Sequence, residues 1–580
     1  MIESVFKLGK MFGENAGKTD YDYIKAENVI IIEFDENGEF SKVDQEKFTT
    51  EKLSKYFYKK AKGSNPPSLS PTLNLNKEVG KTLRNLKTIL KKILDTLEDL
   101  QDQKGITLVS NILKALDQEG LENVIKERMS KESAILTIKV GDKYVGDIDF
   151  LVKAILTAAS DEGKDSKSVG VCAFCLQEKE ISGDISPFKF YTIDKPGYIT
   201  GGFNKKEAYK NFPICYECKD YIKIGREKIE NFLKFSIYGN TYYIIPDFVI
   251  EDEYVKNEIL NILFNQDFRN IKLTESQHKK LMSSNEEILD LLIESKDVMT
   301  LDFLFLEKTN SAEVINLHIQ DIYPSRLKEL FEAKDKVEAV VEKPFTYAVM
   351  YKFFSKTDKK KRNDDLIKYF FELLDKTFRS IRVDEKFLIN FLLRQIRDAL
   401  SPEDLKENIY KDVIKDAYGV FLFIKLTTKE VKMEDVKENL REEAKSIEEF
   451  VERLPALDSA TKKALFLMGV LTEYILTTQY LKGMKAKPFM KKLNGLKMNA
   501  NDVRGLLPEI RNKLEEYEEY GPNIAKIFSL ASNYLAIEDS LQKMSIEELN
   551  FYFALGMGMY DAISKKFIFV KKEENNEEQA

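Results

Sequence analysis

Apolar residues show two different patterns in the N-terminal part of the chain, one typical of strands and one typical of a helix. Residues 29–34 form a mostly apolar run before Asp35-Glu36-Asn37-Gly38, which is typical of a hairpin turn. A second hairpin is predicted at residues 134–145 around Gly141-Asp142. Between the two hairpins, apolar residues recur at helical spacing with lysines interleaved, which predicts an amphipathic helix. Its apolar positions are Leu83, Leu86, Leu90, Ile93, Leu94 and Leu97. We therefore expect a mixed α/β N-terminal domain over residues 1–160.

The central part of the chain predicts two further domains. Four cysteines between residues 172 and 218, followed by a strand pair around Gly239-Asn240, indicate a zinc-finger module with a β-hairpin over residues 161–250. From residue 251 the pattern is mainly helical, with paired strands expected at 301–307 and 314–319. Residues 251–430 are thus predicted to be an α-rich middle domain with a small sheet.

Beyond Met433 the pattern is wholly helical. Four positions are expected to break the helices: Pro455, Gly483, Pro508 and Gly521-Pro522. Ser545 with Glu548 forms a capping-box signature, and Ala554, Gly556 and Gly558 would allow close packing of the last helix. We expect a helical bundle over residues 431–572 and a disordered polar tail over 573–580. The predicted fold class is α+β, mostly α-helical and multidomain.

Composition narrows the range of functions. The 580 residues are 43% hydrophobic and 32% charged, which is typical of a folded soluble protein. A net charge of −7 means that any binding to nucleic acid must come from local basic patches. No apolar run approaches the roughly 20 residues of a membrane-spanning helix and the N-terminus has no signal-peptide pattern, so we expect a cytoplasmic protein. His278 and His318 are the only histidines, which argues against most histidine-dependent chemistry and favours a protein that is not an enzyme.

The cysteines form two C-x-x-C pairs, Cys172 with Cys175 and Cys215 with Cys218. Two such pairs can close a tetrahedral site around Zn²⁺, and four protein ligands would make that zinc structural rather than catalytic. A redox motif, an iron–sulfur cluster and a site that has lost its metal are the alternatives.

Two segments are candidates for contact with DNA. Residues 194–206, inside the cysteine module, combine glycines, aromatic residues and cations, and we single out Lys195, Asn204, Lys205 and Lys206. The alternative is a turn-rich segment whose aromatic residues pack on the metal site. The second segment, residues 482–504, is called the basic segment below and holds seven cations against one acid, Asp502. It follows an acid-rich stretch, and we expect its cations to track a nucleic-acid backbone, although a lysine run is often only a solvated surface. The cations are Lys482, Lys485, Lys487, Lys491, Lys492, Lys497 and Arg504.

Several short motifs, in order along the chain, resemble those of the large subunit of the type I-B CRISPR interference complex, Cascade. They begin with IDKPGY at 193–198, FPICYEC at 212–218 and YYIIP at 242–246. DIYPSR at 321–326, FMKKLNGL at 489–496 and LPEI at 507–510 continue the series. The resemblance thus spans nearly the whole chain.

The resemblance implies a non-catalytic subunit of a guide-RNA complex in antiviral defence. Such a subunit recognises the protospacer-adjacent motif (PAM), helps to bind and unwind target double-stranded DNA, and recruits a helicase-nuclease. The implied partners are the other Cascade subunits, including the backbone and guide-processing proteins, the guide RNA, the target DNA and the helicase-nuclease. The C-terminal bundle resembles the Cascade small subunit, which can also be made separately from an internal start, and Met433 is placed for one.

Two rival functions remain. One is a zinc-containing, metal-dependent nuclease, which the scarcity of histidine disfavours. The other is a protein scaffold without direct nucleic-acid contact. Weak salt dependence of DNA or RNA binding would favour the scaffold, because direct phosphate contacts make binding strongly dependent on salt.

Overall fold

The computed structural model places strands and helices together up to residue 322 and, in its described residues, helices beyond it, so the predicted α+β, mostly helical fold is confirmed. The structure describes residues 1–15, 21–60, 68–76, 78–129, 133–161, 167–183, 188–190, 204–237, 239–264, 297–309, 312–358, 360, 363–400, 409–436, 443–484, 487–538 and 540–569.

The described residues form two units. The first comprises Met1–Lys234, Tyr243–Asp247 and Leu306–Ile315. The second comprises the described residues of Phe235–Tyr242, Phe248–Phe305 and Asn316–Ala580. The four folded domains expected from the sequence, at residues 1–160, 161–250, 251–430 and 431–572, stay a prediction.

The helices of the first half are α1 Ile2–Asn15, α2 Leu53–Tyr56, α3 Val79–Asp99, α4 Gln103–Ala115, α5 Leu121–Arg128, α6 Asp149–Asp161, α7 Tyr216–Phe232 and α8 Glu253–Phe264. Those of the second half are α9 Pro324–Val341, α10 Tyr347–Phe354, α11 Ile367–Phe378, α12 Glu385–Asp398, α13 Ile409–Thr427, α14 Ile447–Glu452, α15 Ala460–Leu481, α16 Ala500–Glu516, α17 Pro522–Ile537 and α18 Ile546–Ile563. The predicted helix around residues 83–97 is confirmed as α3.

The strands are β1 Asn28–Phe34, β2 Phe40–Lys47, β3 Leu73–Leu75, β4 Ala134–Val140, β5 Lys143–Tyr144, β6 Lys167–Val171, β7 Glu178–Ser182, β8 Ile214–Cys215, β9 Lys234–Ile237, β10 Asn240–Phe248, β11 Met299–Lys308 and β12 Glu313–Ile322. Within the described part of the chain they form three sheets, with the orders β2-β1-β4-β3 (β5 also pairs with β4), β12-β11-β10-β9 and β6-β7-β8. The predicted hairpin turn at residues 35–38 and the predicted hairpin at 134–145 are confirmed by the antiparallel pairs β1–β2 and β4–β5. The strands expected at 301–307 and 314–319 are confirmed as the neighbours β11 and β12.

Strand β1 is apolar on both faces because both faces are covered. Ile30 and Ile32 point into the larger core, which α3 also lines. Val29 and Ile31 point into a second cluster that contains Tyr56. β1 also pairs in parallel with β4, from Asn28 opposite Ala134 onward, and a strand buried on both faces has a nearly continuous apolar sequence.

The C-terminal helices pack closely where glycines meet. A Cβ added at Gly556 of α18 would lie 1.8 Å from the backbone oxygen of Phe466, and one added at Gly469 of α15 would lie 1.9 Å from that of Phe553. The predicted close packing of the last helix is therefore confirmed. The predicted capping box of Ser545 and Glu548 is also present at its start.

Helix α15 is the core helix of this region. Among the described residues it is the one helix long and apolar enough to cross a membrane by length and composition, although no segment of such length was expected from the sequence. Within the structure, 83% of its apolar window is buried. Packing in the protein core therefore accounts for its apolar composition.

The break expected at Pro508 is wrong, because α16 continues through this residue. A proline inside a helix removes one backbone hydrogen bond and costs about 3 kcal/mol. Pro508 lies on the exposed side of α16, while Val503, Ile510 and Leu514 are buried on the other. Burial of that apolar face holds the helix together across the proline.

We predict opposite effects for two glycine-to-alanine substitutions in this region. Gly556→Ala places a methyl group against the backbone of α15 and should lower the free energy of unfolding by about 1–3 kcal/mol. Gly505→Ala, on the exposed side of α16, meets no atom within 4 Å and should raise it by about 0.5–1 kcal/mol through helix propensity. Urea unfolding followed by circular dichroism measures both free-energy changes. Circular dichroism is used because the chain has no tryptophan whose fluorescence could report unfolding. Equal effects of the two changes would contradict the close crossing of α15 and α18.

Candidate metal centre

The first cysteine pair lies in a tight turn between β6 and β7. Cys172 directly follows β6, and its backbone N–H donates to the Gln177 oxygen at 3.0 Å. The N–H of Leu176 donates back to the Cys172 oxygen at 3.0 Å. Leu176 has a left-handed backbone, with φ of 56°, which reverses the chain toward β7.

The second pair lies where β8 leads into α7. Cys215 ends β8 and is the N-cap residue of α7, and Cys218 lies in the first turn of that helix. β7 pairs with β8 through Ile181 opposite Cys215, so one strand links both turns. The N–H of Ala173 donates to the Pro213 oxygen at 2.9 Å, which ties the two turns directly to each other.

These elements bring the four sulfur atoms together. All four Sγ atoms lie within 4.8 Å of one another, and the Cys175 and Cys215 sulfurs are 3.9 Å apart. Cys172, Cys215 and Cys218 are buried, and Cys175 is partly exposed. The four residues predicted as ligands thus form one cluster that could bind a metal ion.

The local environment shifts the pKa values of three of the thiols in different directions. Burial acts to raise the pKa of Cys172, but N–H groups of Cys175, Cys215 and Phe174 donate to its sulfur and lower the pKa to about 7. Burial raises the pKa of Cys215 and of Cys218. A bound cation would offset the cost of ionising these buried thiols, since metal ligation requires the thiolate form.

Aromatic packing and a close helix crossing support the cluster. The ring of Phe174, inside the first cysteine turn, lies 4.9 Å from that of Phe6 on α1 and 5.6 Å from that of Phe212. α1 crosses α7 at Gly9 and Gly225, where added Cβ atoms would lie 1.7 and 2.0 Å from backbone oxygens. The cysteine turns are thereby packed against helices.

Lys179 is a neighbour of the site that the cysteine pattern alone does not reveal. Its ammonium donates to Glu217 at 2.7 Å, and Glu217 raises the pKa of Lys179, with smaller contributions from Cys175 and Cys215. A cation here would partly balance the negative charge of four thiolates. The sequence signal that could have identified Lys179 is its position as the second residue of β7, close to the first cysteine turn.

The DNA-binding candidates within the cysteine module are only partly described. Lys195 lies outside the described residues. Asn204 is exposed. Lys205 and Lys206 begin a short 3₁₀ segment, Lys205–Lys210, but their side chains lie outside the described part of the structure. Their contact with DNA stays a prediction.

The basic segment connects α15 to α16 and presents most of its described cations to solvent. Lys482 donates to the Tyr517 oxygen at 3.3 Å, and Lys492 pairs with Glu509 at 3.2 Å. Lys485 lies outside the described residues. The exposed cations of the segment are Lys482, Lys491, Lys492, Lys497 and Arg504.

Lys487 differs from these residues because it is buried, with 3% of its surface exposed. Its ammonium lies 3.2 Å from the Tyr410 hydroxyl, which in turn donates to both carboxylate oxygens of the buried Glu473 at 2.8 and 2.9 Å. Burial lowers the pKa of Lys487. Its inclusion among the surface contacts is therefore corrected: the side chain fixes the segment to the protein interior.

Further buried contacts fix the backbone of the basic segment. Arg397 of α12 donates to the Leu496 oxygen at 2.8 Å. Asn550 of α18 accepts from the Met498 N–H at 3.1 Å and donates to the Met498 oxygen at 2.8 Å. Gln479 of α15 accepts from the Phe489 N–H at 3.1 Å. The exposed cations thus stand on a backbone held by three helices.

Three family models match the chain in order, and all three describe CRISPR-associated protein TM1802. The N-terminal domain matches residues 1–157, the central domain 169–322 and the C-terminal domain 345–575. The chain belongs to this family of CRISPR-associated proteins.

Both candidate sites lie within the matched ranges. The central-domain match contains all four cysteines, and the C-terminal match contains the whole basic segment. The C-terminal match begins well before Met433 and includes α12 and α13. No curated protein matches the chain.

We predict that the purified protein binds one metal ion per chain through the cysteine cluster. Cys218→Ser should abolish stoichiometric metal binding, because it removes one of four ligands from the closed set. Leu176→Asn is the matched control, since Leu176 is 75% exposed in the same turn and asparagine tolerates its left-handed backbone. Native and elemental mass spectrometry measure the bound metal. Full metal content in Cys218→Ser would contradict the four-cysteine site.

Proposed function

We propose that this member of the TM1802 family is the non-catalytic large subunit of a type I-B Cascade complex. In that role it would act in the cytoplasm with other CRISPR-associated subunits and a guide RNA, contribute to recognition of the PAM, bind and unwind target DNA, and recruit a helicase-nuclease. The observation that carries the proposal is the ordered family match across nearly the whole chain.

We propose zinc as the metal of the cysteine cluster. A tetrahedral site with Zn–S distances of about 2.3 Å requires sulfur atoms about 3.8 Å apart. The distance of 3.9 Å between the Cys175 and Cys215 sulfurs is compatible with this geometry. With four thiolate ligands the zinc would have no open position, so its contribution would be to folding rather than to a reaction.

The basic segment is proposed as a track for a nucleic-acid backbone. Support comes from its exposed cations together with its fixed backbone. Long lysine side chains lose conformational entropy on binding, but a rigid base removes the additional cost of ordering a loop. Among the described residues, Lys491 and Lys497 form no ion pair, so their charges are available to phosphate.

The alternatives are a metal-dependent nuclease and a scaffold without nucleic-acid contact. His318, the histidine within the described residues, lies 3.1 Å from Asp302. That pair alone lacks the ligand set of a usual His–Asp metal site. DNA cleavage by the isolated protein with added divalent metal would favour the nuclease.

We also propose a separate C-terminal product that begins at Met433. Such a product would lack helices that pack against α18. α18 packs against α12 and α13, which precede Met433. A product beginning there would lack both helices and leave part of α18 uncovered. Intact-mass analysis of the expressed complex tests the proposal, and absence of a product starting at Met433 would contradict it.

We predict that charge reversal in the basic segment weakens target binding while the complex still assembles. The protein is co-expressed with its neighbouring CRISPR subunits and guide, and binding of target DNA is measured across a salt series. Lys491→Glu with Lys497→Glu should weaken binding at least about tenfold and lower the salt slope by about 2, as expected for two lost phosphate contacts.

The matched control is Lys386→Glu with Lys526→Glu, two exposed helical lysines of the same unit. It changes the net charge equally and should leave binding nearly unchanged. Equal losses in the two double variants would mean that only overall charge matters and would refute the track. Failure of the unaltered protein to join the guide complex would overturn the subunit assignment itself.

A further inference from the structure

A cleft of about 420 Å³, lined by both polar and apolar residues, lies in the first unit between α3 and the β3 region. Its exposed polar lining from α3 consists of Lys81, Asn85, Thr88 and Lys92, and the buried residues Thr82, Ile89 and Ile93 of the same helix also line it. From β3 and the residue after it, Asn74 and Asn76 line the cleft and are exposed. Neither the family matches nor the sequence motifs assign a role to these residues.

The four exposed polar cleft residues of α3 form one stripe along the helix. Positions 81, 85, 88 and 92 are separated by four, three and four residues, which places them on the same face. The stripe is about 16 Å long, because each helical residue rises about 1.5 Å. The opposite face of α3, with Leu83, Leu86 and Leu90, is buried in the core. Core packing therefore fixes the direction of the polar stripe.

The charged residues that line the cleft are of one sign. Residues 79–94 contain five basic residues and no acidic one. Among the described residues no carboxylate lines the cleft. Lys87, on another side of α3, pairs with Asp117 at 2.6 Å, whereas neither Lys81 nor Lys92 forms an ion pair within the described part of the chain. The two cleft lysines retain their charges for an external anion.

We propose that this cleft binds a single-stranded nucleic-acid segment. Two ammonium groups separated along a groove suit successive phosphates, and the amides of Asn74, Asn76 and Asn85 supply donors and acceptors for sugars and base edges. A single phosphate or a mononucleotide would occupy only part of a stripe about 16 Å long. The cleft belongs to the first unit and the basic segment to the second, so this site is additional to the one proposed above.

The test uses the full-length protein and two labelled, unstructured probes of equal length, an oligouridine RNA and an oligothymidine DNA. Fluorescence anisotropy at several salt concentrations compares Lys81→Ala with Lys92→Ala against the control pair Lys87→Ala with Lys91→Ala, which lies on the same helix outside the cleft lining. The cleft pair should bind about tenfold more weakly, with a salt slope reduced by about 1.4, because each phosphate contact to a single strand contributes about 0.7. The control pair should stay within about twofold of the unaltered protein.

A second variant, Asn85→Asp, places a carboxylate in the cleft while leaving both lysines and should weaken binding in the same direction. Circular dichroism confirms that each variant is folded. Stronger loss with RNA than with DNA would assign the strand to RNA through its 2′-hydroxyls, and equal loss would assign it to the shared backbone. Unchanged binding by the Lys81 and Lys92 variant, or an equal loss in the control pair, would overturn the proposal.

The same measurement in the Lys491→Glu, Lys497→Glu background separates the two sites. Independent sites should give effects that add, because substitutions without shared partners usually do. A cleft effect that persists there supports the cleft even if the basic segment is inactive. A cleft effect that disappears there would refute an independent site.

Discussion

The convergence of four cysteine sulfurs is the constraint on which the middle of the first unit depends. The sheet around them is very small, since β8 has two residues and β6 and β7 have five each. Strands this short provide little stability unless something else covers or links them. Here the links are the cysteine turns themselves, joined across β7, with aromatic rings and a glycine-lined helix crossing around them. A metal would connect the two turns in the way that a core connects larger sheets.

Much of the fold follows from local sequence signals. The hairpins around Asp35–Gly38 and Gly141-Asp142, the helix α3 and the cap at Ser545 each depend on residues close together in sequence. Each C-x-x-C pair is also a local signal. The two pairs could be assigned to one metal site because this spacing has few structural interpretations. The helix through Pro508 could not be foreseen. Its continuity depends on an apolar face packed against residues distant in sequence, which outweighs a local signal.

Lys487 shows the corresponding limit for the candidate sites. In sequence it is one cation in a run of seven, with nothing to distinguish it from Lys491. Its burial depends on Tyr410, 77 residues earlier, and on Glu473 across the core. Counting charges therefore located the basic segment but overestimated its surface charge. The cleft on α3 was missed for a related reason. In the sequence its lysines are the polar positions of an ordinary amphipathic helix, and only the tertiary structure brings β3 next to them.

The parallel pairing of β1 with β4 affects how the chain emerges during synthesis. Asn28 pairs with Ala134, so β1 must wait for roughly another hundred residues, or about 5–20 s at usual translation rates. Until then one edge of a strand that is apolar on both faces has no partner, while β2 can close the other edge at once. The nascent chain would be most exposed to aggregation in this interval. Chaperone dependence of expression should therefore concentrate in the first 140 residues.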